Sequence, residues 1–318
     1  CSAAAPPPFC NQLLGFRALQ FLPPYLNYPN SVESGQSSAS KTTWTARLAY
    51  DLTDNVNIYG SASTGFKATS WNLSRDSRPF AADMPSLAAA GLLPPNITAG
   101  TRFAAPEESR VLEVGLKGAW GANYLNIALF SQDIDNFQSN VFTGAAFNFA
   151  NAGKQSTDGL EIEGRVMVTD SLELNISATF MDPIYDSFLQ GAGVNGIEDL
   201  SGTRPAGVHQ RSASIAATYF FDLSDSVNGF FRADFLAEDA VRVNENVASQ
   251  VATRKVNTLN ASLSLMFSER YEIMLWGRNL NDDNYLQSSF PSVAQAGSFS
   301  GYPNQPRTYG ITFRTHFD

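Results

Sequence analysis

The stretch Arg307-Thr-Tyr-Gly-Ile-Thr-Phe-Arg-Thr-His-Phe317 closes the chain with a regular alternation of apolar and polar side chains. The apolar positions recur at even spacing: Tyr309, Ile311, Phe313 and Phe317. Polar side chains stand between them: Thr308, Thr312, Arg314 and His316. Because successive side chains of a strand point to opposite faces, this strand has one apolar and one polar face. An aromatic-rich strand of this kind at the end of a series of similar strands predicts a transmembrane β-barrel.

The same alternation recurs along the rest of the chain. Segments of period two begin near residues 44, 56, 112, 125, 160, 172, 213, 230, 259, 273 and 307. The sequence therefore predicts an all-β, antiparallel fold with about eleven strands.

The connections between these strands differ in length in a regular way. Short polar turns such as Thr53-Asp-Asn55 and Ser268-Glu-Arg270 alternate with long connections near residues 67–105, 137–152, 183–206, 241–253 and 281–305. Short periplasmic turns opposite long extracellular loops are typical of outer-membrane barrels. Counting back from a last strand that ends in the periplasm predicts that the Pro-rich segment 1–40 lies outside the cell as an extracellular loop segment.

Composition agrees with a barrel wall and excludes other classes. Of 318 residues 43% are hydrophobic and only 16% are charged, below the roughly 25% charged residues of soluble domains. The longest apolar candidate, Ser86 to Leu93, is far short of the ~18 residues of a spanning helix. The formal net charge of −9 and the lack of a basic stripe argue against a nucleic-acid partner.

The two cysteines, Cys1 and Cys10, both lie in the Pro-rich opening segment. A disulfide that closes a surface loop in an oxidising compartment is the preferred interpretation. A lipid-bearing Cys1, as in bacterial lipoproteins, is the alternative.

The odd number of strands has a structural consequence. Single-chain bacterial barrels have an even number of strands, and an open sheet would expose unpaired edge groups to lipid at several kcal/mol each. The chain is therefore expected to be part of a larger barrel. Its charged alternating positions would then face a wet lumen: Glu161, Glu163, Arg165, Glu173 and Arg314. A soluble β-sandwich is the alternative.

Catalysis finds no support in the sequence. The two histidines, His209 and His316, fall at opposite ends of the predicted strands, and no nucleophile with a nearby base is readable. We expect no enzyme activity and no cofactor. The cluster Asn279, Asp282 and Asp283 is expected to satisfy backbone groups where a strand enters a loop, with a cation site as the alternative.

Several fragments together resemble the C-terminal barrel of TonB-dependent outer-membrane receptors. They are Gly65-Phe-Lys67, Pro106-Glu107, Leu112-Glu-Val-Gly-Leu-Lys117, Asn151-Ala-Gly153, Gly159-Leu-Glu-Ile-Glu163, Gly277-Arg-Asn-Leu-Asn-Asp-Asp-Asn-Tyr285, Pro306-Arg307 and Phe317. The resemblance covers about residues 41 to 317. One departure is Asp318, which follows the aromatic residue that commonly ends such barrels. The glycines of these fragments are expected to allow strand curvature or close approach of the backbone.

The resemblance implies a 22-stranded barrel with an N-terminal plug, of which residues 41–318 would be the C-terminal part. It implies residence in the outer membrane of a Gram-negative bacterium, among lipid and lipopolysaccharide, after insertion by the barrel insertion machinery. It also implies energy-coupled uptake, in which the TonB-ExbB-ExbD complex pulls on the plug, a domain that these residues do not include.

The first choice of ligand is a ferric siderophore. Loop cations and aromatics that could hold an anionic iron chelate are Lys67, Trp71, Arg75, Arg78, Arg102, Arg204 and Tyr302. Phe80, Tyr185, Phe290 and Phe299 are further loop aromatics, although each aromatic could instead pack the loops together. Haem is less favoured because residues 67–105 contain no histidine. Oligosaccharide, cobalamin or a passive porin-like barrel are alternatives.

Overall fold

The computed structural model describes residues 36–71, 103–142, 147–189, 191–292, 295, 297–315 and 317, and all of its regular elements there are strands. In chain order they are β1 Thr45–Thr53, β2 Val56–Lys67, β3 Ser70–Trp71, β4 Phe103–Ala104, β5 Glu107–Trp120, β6 Asn123–Phe142, β7 Phe147–Thr169, β8 Leu172–Ser187, β9 Gly191–Gly193, β10 Gly196–Glu198, β11 Arg211–Ser224, β12 Val227–Arg242, β13 Thr253–Phe267, β14 Tyr271–Arg278, β15 Leu286–Pro291, β16 Phe299–Pro303 and β17 Thr308–Thr315.

Eleven of these strands form one sheet in the order β1-β2-β5-β6-β7-β8-β11-β12-β13-β14-β17. Each strand pairs antiparallel with the next long strand along the chain, so the sheet is a meander without crossovers. The remaining strands form three small hairpins within the connections: β3 with β4, β9 with β10, and β15 with β16. The predicted antiparallel sheet of eleven strands is confirmed.

One face of the sheet is apolar and exposed along its whole width. The pairing register aligns its residues in rows across neighbouring strands, for example Ile58 with Leu116, and Leu275 with Ile311. Large apolar side chains of this face are exposed on every strand of the sheet except β13: Leu48, Ile58, Leu112, Val114, Leu129, Val166, Ile176, Phe180, Ile215, Phe231, Phe235, Ile273, Leu275, Ile311 and Phe313. Within the described residues, no helix has the length and hydropathy to cross a membrane.

The edge strands carry the most exposed apolar side chains. Leu48 in β1 is 80% exposed, and Tyr309 in β17 is 81% exposed. A strand at a sheet edge also has one row of backbone N–H and C=O groups without a partner in that sheet. Both edges are therefore surfaces that another strand could cover.

Five connections at one end of the sheet are tight, as predicted. The turn after β13 uses left-handed backbone at Ser268 and Glu269, and Gly121 supplies a positive φ of 60° between β5 and β6. The longer connections all lie at the opposite end.

The predicted connection over residues 137–152 is wrong. β6 continues to Phe142 and β7 begins at Phe147, so the two strands extend well past that predicted boundary. The sequence hid this extension because its polar residues, such as Gln138, Asn140 and Asn151, interrupt the apolar alternation. Beyond the apolar band both faces of a strand can be polar, and the period-two signal disappears while the backbone pairing continues.

Candidate lumen and extracellular loop site

The second face of the sheet is polar, and its charges are paired. Arg165 Nη2 lies 2.6 Å from Glu173 Oε2, and Asn175 donates to the other oxygen of Glu173 at 2.7 Å. On β13 and β14, Glu272 is only 6% exposed and accepts hydrogen bonds from Ser264 Oγ at 2.7 Å and from Arg314. Charge-assisted pairs of this kind stabilise carboxylates away from bulk water. The positions expected to face a wet lumen therefore do share one face.

A tyrosine ring packs directly over a glycine on the same polar face. Tyr59 donates to Glu113 Oε1 at 2.6 Å, and the Arg47 guanidinium lies 4.2 Å from the centre of its ring. The ring lies across Gly115, where an added Cβ would be 2.6 Å from ring atoms. Gly115 is thus required for close approach of a side chain and not for an unusual φ.

The root of the connection between β2 and β5 is held by two amides. Gln138 Nε2 donates to the carbonyl oxygens of Ala68 and Ala105, both at 2.9 Å, and Gln138 is 7% exposed. Asn151 exchanges hydrogen bonds with the backbone of Ala105, and Glu107 accepts from the backbone N–H of Gln138 at 2.8 Å. The motif residues Glu107 and Asn151 thus anchor a loop to the rim. The sequence did not single out Gln138. The only signal was that this residue interrupts the apolar alternation near the end of β6.

Asparagines hold the root of the last long connection. Asn279, at φ 50°, donates to the carbonyl oxygens of Asp283 and Gln305 and accepts from the N–H of Asp283. Asp283 accepts from the N–H of Asn257 at 2.6 Å, and Asn304 donates to the carbonyl of Asp283. The expectation that this cluster satisfies backbone groups is confirmed. Among the described residues, no group of three or more His, Cys, Asp or Glu side chains is arranged to hold a metal ion.

The connection between β8 and β11 folds back on the strands with an apolar core of its own. Ala152, Tyr185, Phe188 and Leu200 are all buried, and the ring centres of Tyr185 and Phe188 are 4.9 Å apart. Burial, reinforced by the nearby Glu245 carboxylate, raises the pKa of Tyr185, which donates to Glu245 Oε1 at 3.1 Å. Glu245 also accepts from the N–H of Ala206 and so joins two loops.

His209 belongs to the framework of these loops. Its Nδ1 lies 2.8 Å from the carbonyl oxygen of Asp239, and its Nε2 lies 2.7 Å from Arg254 Nη2 and 3.0 Å from Glu238 Oε2. Arg254 in turn donates to the carbonyl of Gln287 in β15. The imidazole is 8% exposed and occupied by structural contacts. His316 lies outside the described residues.

The predicted ligand residues are found at separate places on the rim. Lys67 ends β2 beside Glu107, with a distance of 3.9 Å between the charged atoms. Trp71 packs on Phe103 and donates to Ser37 Oγ at 2.7 Å. Tyr302 is 63% exposed and packs against Phe290. Arg204 lies near Asp182, and the described contacts do not join any two of these four residues.

Several of the predicted site residues lie outside the part of the chain that the structure describes. Arg75, Arg78, Phe80 and Arg102 lie outside the described residues, as do Cys1 and Cys10 and the whole of segment 1–35. Phe299, in β16, is 39% exposed.

An antiparallel meander with an apolar exposed face, a charged opposite face and its long connections at one end defines the wall of a membrane-spanning β-barrel. A family model described as "TonB dependent receptor-like, beta-barrel" matches residues 21–280. The chain belongs to this family, whose members are transport receptors of the Gram-negative outer membrane.

Solved receptors share this fold. The ferric yersiniabactin uptake receptor of Yersinia pestis is 18% identical, with a TM-score of 0.66 over 86% of this chain and 37% of its own. The siderophore receptor PiuA of Acinetobacter baumannii is 18% identical, with a TM-score of 0.61 over 85% of this chain and 35% of its own. The ferric-catecholate import receptor Fiu of E. coli K12 is 17% identical, with a TM-score of 0.59 over 86% and 35%. This chain therefore spans little more than a third of the length of these receptors, and the likeness is one of fold.

Proposed function

We propose that the chain forms the C-terminal part of an outer-membrane receptor that takes up a scarce nutrient with energy from the inner membrane. The observation that carries this proposal is the barrel wall whose long connections are pinned at their roots by buried amides, such as Gln138 and Asn279. Hydrogen bonds at the ends of a connection fix its position relative to the barrel wall. The residues between those ends would then be available to contact a ligand. A passive porin-like barrel is the rival function.

Residues 1–40 would form an extracellular loop segment, and residues 41–318 would supply eleven strands of a 22-stranded barrel. A plug domain elsewhere in the longer protein would fill the lumen and contact the TonB-ExbB-ExbD complex. The paired charges of the polar face, such as Arg165 with Glu173, support this arrangement because they suit packing against another polar surface.

A ferric siderophore is the ligand that the rim suits best. Lys67 ends β2 and Trp71 follows four residues later in β3, where the longest connection begins. The same connection also carries Arg75, Arg78 and Arg102 in its sequence. Guanidinium, ammonium and aromatic groups together can hold an anionic aromatic chelate. Tyr302 would complete the site from β16. Arg204, which is half-exposed and 3.6 Å from Asp182, would contribute a further cation from the connection after β8.

The chain is not proposed to be an enzyme. His209, the one histidine among the described residues, is buried and shared among Arg254, Glu238 and the carbonyl of Asp239. No described serine, threonine or cysteine is bonded to it, so it does not activate a nucleophile.

Uptake of ferric siderophores labelled with radioactive iron tests the function. Cells that carry the complete receptor should accumulate label, and deletion of the gene or collapse of the proton gradient should abolish accumulation. Uptake that survives loss of the gradient would favour a porin. Gradient-dependent uptake of haem, cobalamin or an oligosaccharide, without iron chelates, would replace the siderophore by that ligand.

The site itself is tested by Lys67→Gln. We expect the affinity for the ferric siderophore to fall about tenfold, the usual order for loss of a charge-assisted hydrogen bond. Lys41→Gln is the matched control, because Lys41 is similarly exposed but is held by Glu108 at 2.5 Å, whereas Lys67 lies 3.9 Å from Glu107. Equal affinities of both variants and the unmodified receptor would remove Lys67 from the site.

A further inference from the structure

A buried histidine near the roots of the long connections is surrounded by charged groups from three strands. His209 precedes β11 and is 8% exposed. Its charged neighbours from β12 are Glu238 and Asp239, and Arg254 reaches it from β13. Arg211 in β11 lies 3.7 Å from the Asp239 carboxylate. A proton added to the imidazole would therefore enter a cluster of two carboxylates and two guanidinium groups.

The contact at Nδ1 determines where a neutral His209 carries its proton. Nδ1 lies 2.8 Å from the backbone carbonyl oxygen of Asp239, and a carbonyl oxygen can only accept a hydrogen bond. Nδ1 is therefore the protonated nitrogen, and this hydrogen bond is kept whether the ring is neutral or charged. In the neutral ring Nε2 has no proton and can only accept.

The two neighbours of Nε2 require opposite protonation states. Arg254 Nη2, a donor, lies 2.7 Å from Nε2, and Glu238 Oε2, an acceptor, lies 3.0 Å from it. Without a proton, Nε2 accepts from Arg254 and repels the carboxylate. With a proton, Nε2 donates to Glu238 in a charge-assisted hydrogen bond and repels the guanidinium. Protonation therefore changes the partner of Nε2 from Arg254 to Glu238.

Arg254 also connects the histidine to the last long connection. Its Nη1 donates to the backbone carbonyl of Gln287 in β15 at 3.2 Å. The register of β15 with β16 shifts between Leu286 and Ser288, so Gln287 lies at an irregular point of this hairpin. The next residue, Ser288, pairs with Tyr302. Displacement of the guanidinium would thus remove a hydrogen bond beside the pairing partner of Tyr302.

A second hydrogen bond holds the same strand without a titratable group. Asn244 Nδ2 donates to the carbonyl oxygen of Ser289 in β15 at 3.1 Å. A side-chain amide keeps its donors over the pH range in which histidines titrate, so this contact does not respond to acidity. Loss of the Arg254 contact should therefore loosen β15 without detaching it.

We propose that His209 is a proton-controlled switch that sets how firmly the hairpin of β15 and β16 is held. When the ring is neutral, its Nε2 keeps Arg254 on the Gln287 carbonyl. When a proton from water binds Nε2, the imidazolium pairs with Glu238, Arg254 turns away, and the hydrogen bond to Gln287 is lost. A looser hairpin at acidic pH would weaken ligand binding. Only this last step rests on the proposed function, because it needs Tyr302 in the ligand site.

Amide hydrogen exchange of the complete receptor, without ligand, tests the switch. Protection of β15 and β16 is followed from about pH 8 to about pH 5, the range in which histidines usually titrate. It is expressed as the ratio of intrinsic to observed exchange rate, which removes the direct effect of pH on exchange. We expect protection to fall about tenfold at the lower pH, the order for loss of one hydrogen bond to a charged group.

Three variants separate the switch from a purely structural role. His209→Gln should abolish the fall, because an amide gains no proton in this range. Glu238→Gln should move the midpoint of the fall to lower pH, because the imidazolium loses its charged acceptor. Asn244→Ala is the matched control: it removes the other hydrogen bond to β15, so it should lower protection at every pH and leave the pH-dependent fall in place.

Constant protection of the unmodified receptor over this range would overturn the proposal, as would a fall that persists in His209→Gln. If His209→Gln does not fold, as judged by heat-modifiable migration on gels, Glu238→Gln decides. A lowered midpoint supports the switch, and an unchanged midpoint overturns it. The affinity for the ferric siderophore is measured separately. A hairpin that responds to pH without a change in affinity would support the switch and remove Tyr302 from the ligand site, so the two failures are distinguishable.

Discussion

At the scale of single residues, Gly115 is the clearest determinant of local packing on the polar face. A Cβ there would lie 2.6 Å from the ring and hydroxyl of Tyr59, so the ring would have to leave Glu113 and Arg47. We expect Gly115→Ala to lower the free energy of unfolding by about 1–3 kcal/mol through overpacking and a lost hydrogen bond. Denaturant unfolding of the receptor in lipid vesicles measures this.

Gly60 provides the control for that prediction. A Cβ at Gly60 would meet its nearest atom, the carbonyl oxygen of Glu113, at 4.0 Å, and β2 is the neighbour of β5. Gly60→Ala should therefore leave stability within about 0.5 kcal/mol. If both substitutions lowered the free energy of unfolding equally, the conformational freedom of the glycine backbone would explain why Gly115 is needed, and the contact with the Tyr59 ring would not.

Asn279 is the residue whose loss should release the last long connection. Asn279→Ala would leave the carbonyls of Asp283 and Gln305 and the N–H of Asp283 without this partner, at a cost of about 1–3 kcal/mol. We expect faster proteolysis and faster amide exchange within residues 281–305. Asn284→Ala, which removes one exposed hydrogen bond to Asp282, should have little effect, and a comparable effect would contradict the anchoring role.

At the scale of strands, β14 offers an adjacent pair of residues that report the two faces. Leu275 is 46% exposed between Leu263 and Ile311, whereas Met274 lies between Ser264 and Thr312 on the polar face. Leu275→Arg should destabilise the folded barrel in a bilayer by ~2–4 kcal/mol, and Met274→Arg should cost less because its charge reaches water. The measurement is the free energy of unfolding of each variant in lipid vesicles. A larger loss of stability for Met274→Arg than for Leu275→Arg would show that the two faces are assigned the wrong way round.

The strands were predictable from the sequence where one face contacts lipid, because that face must be apolar. They were not predictable where neither face has this constraint. The run Leu172 to Phe180 alternates cleanly because its outward side chains meet the apolar band. Above that band the register of β6 and β7 continues through Gln138 and Asn151, although these polar residues interrupt the apolar alternation. The hairpin of Leu286–Pro291 with Phe299–Pro303 was missed for the same reason, since its hydrogen bonds leave no period-two apolar signature.

The candidate site was less predictable than the wall. Residue type alone indicated that Lys67 and Arg204 are cations near the loops, but it could not show that Arg204 turns toward Asp182. That orientation depends on how the connection after β8 packs on Tyr185 and Phe188, which are contacts between residues distant in sequence. Anchors such as Asn279 were predictable because they act on backbone groups a few residues away.

At the scale of the whole molecule, the edges β1 and β17 determine what can complete the sheet. In an antiparallel meander of eleven strands the first and last run in the same direction. Joining β17 directly to β1, within one copy or between two, would therefore create a parallel pair, which an antiparallel barrel excludes. An odd number of additional antiparallel strands is required to close the barrel.

This geometry predicts that residues 41–318 alone will not form a stable barrel in a bilayer. Each unpaired edge group in lipid costs several kcal/mol. The strands β1 and β17 have 9 and 8 residues, and because alternate residues of an edge strand each present one N–H and one C=O outward, the two edges together expose about sixteen such groups. Refolded into vesicles, this segment should remain sensitive to protease and show no heat-modifiable band, whereas the complete receptor should show both protection and the band. A protease-resistant, heat-modifiable monomer of residues 41–318 would mean that β17 can close on β1, and the requirement for further strands would fail.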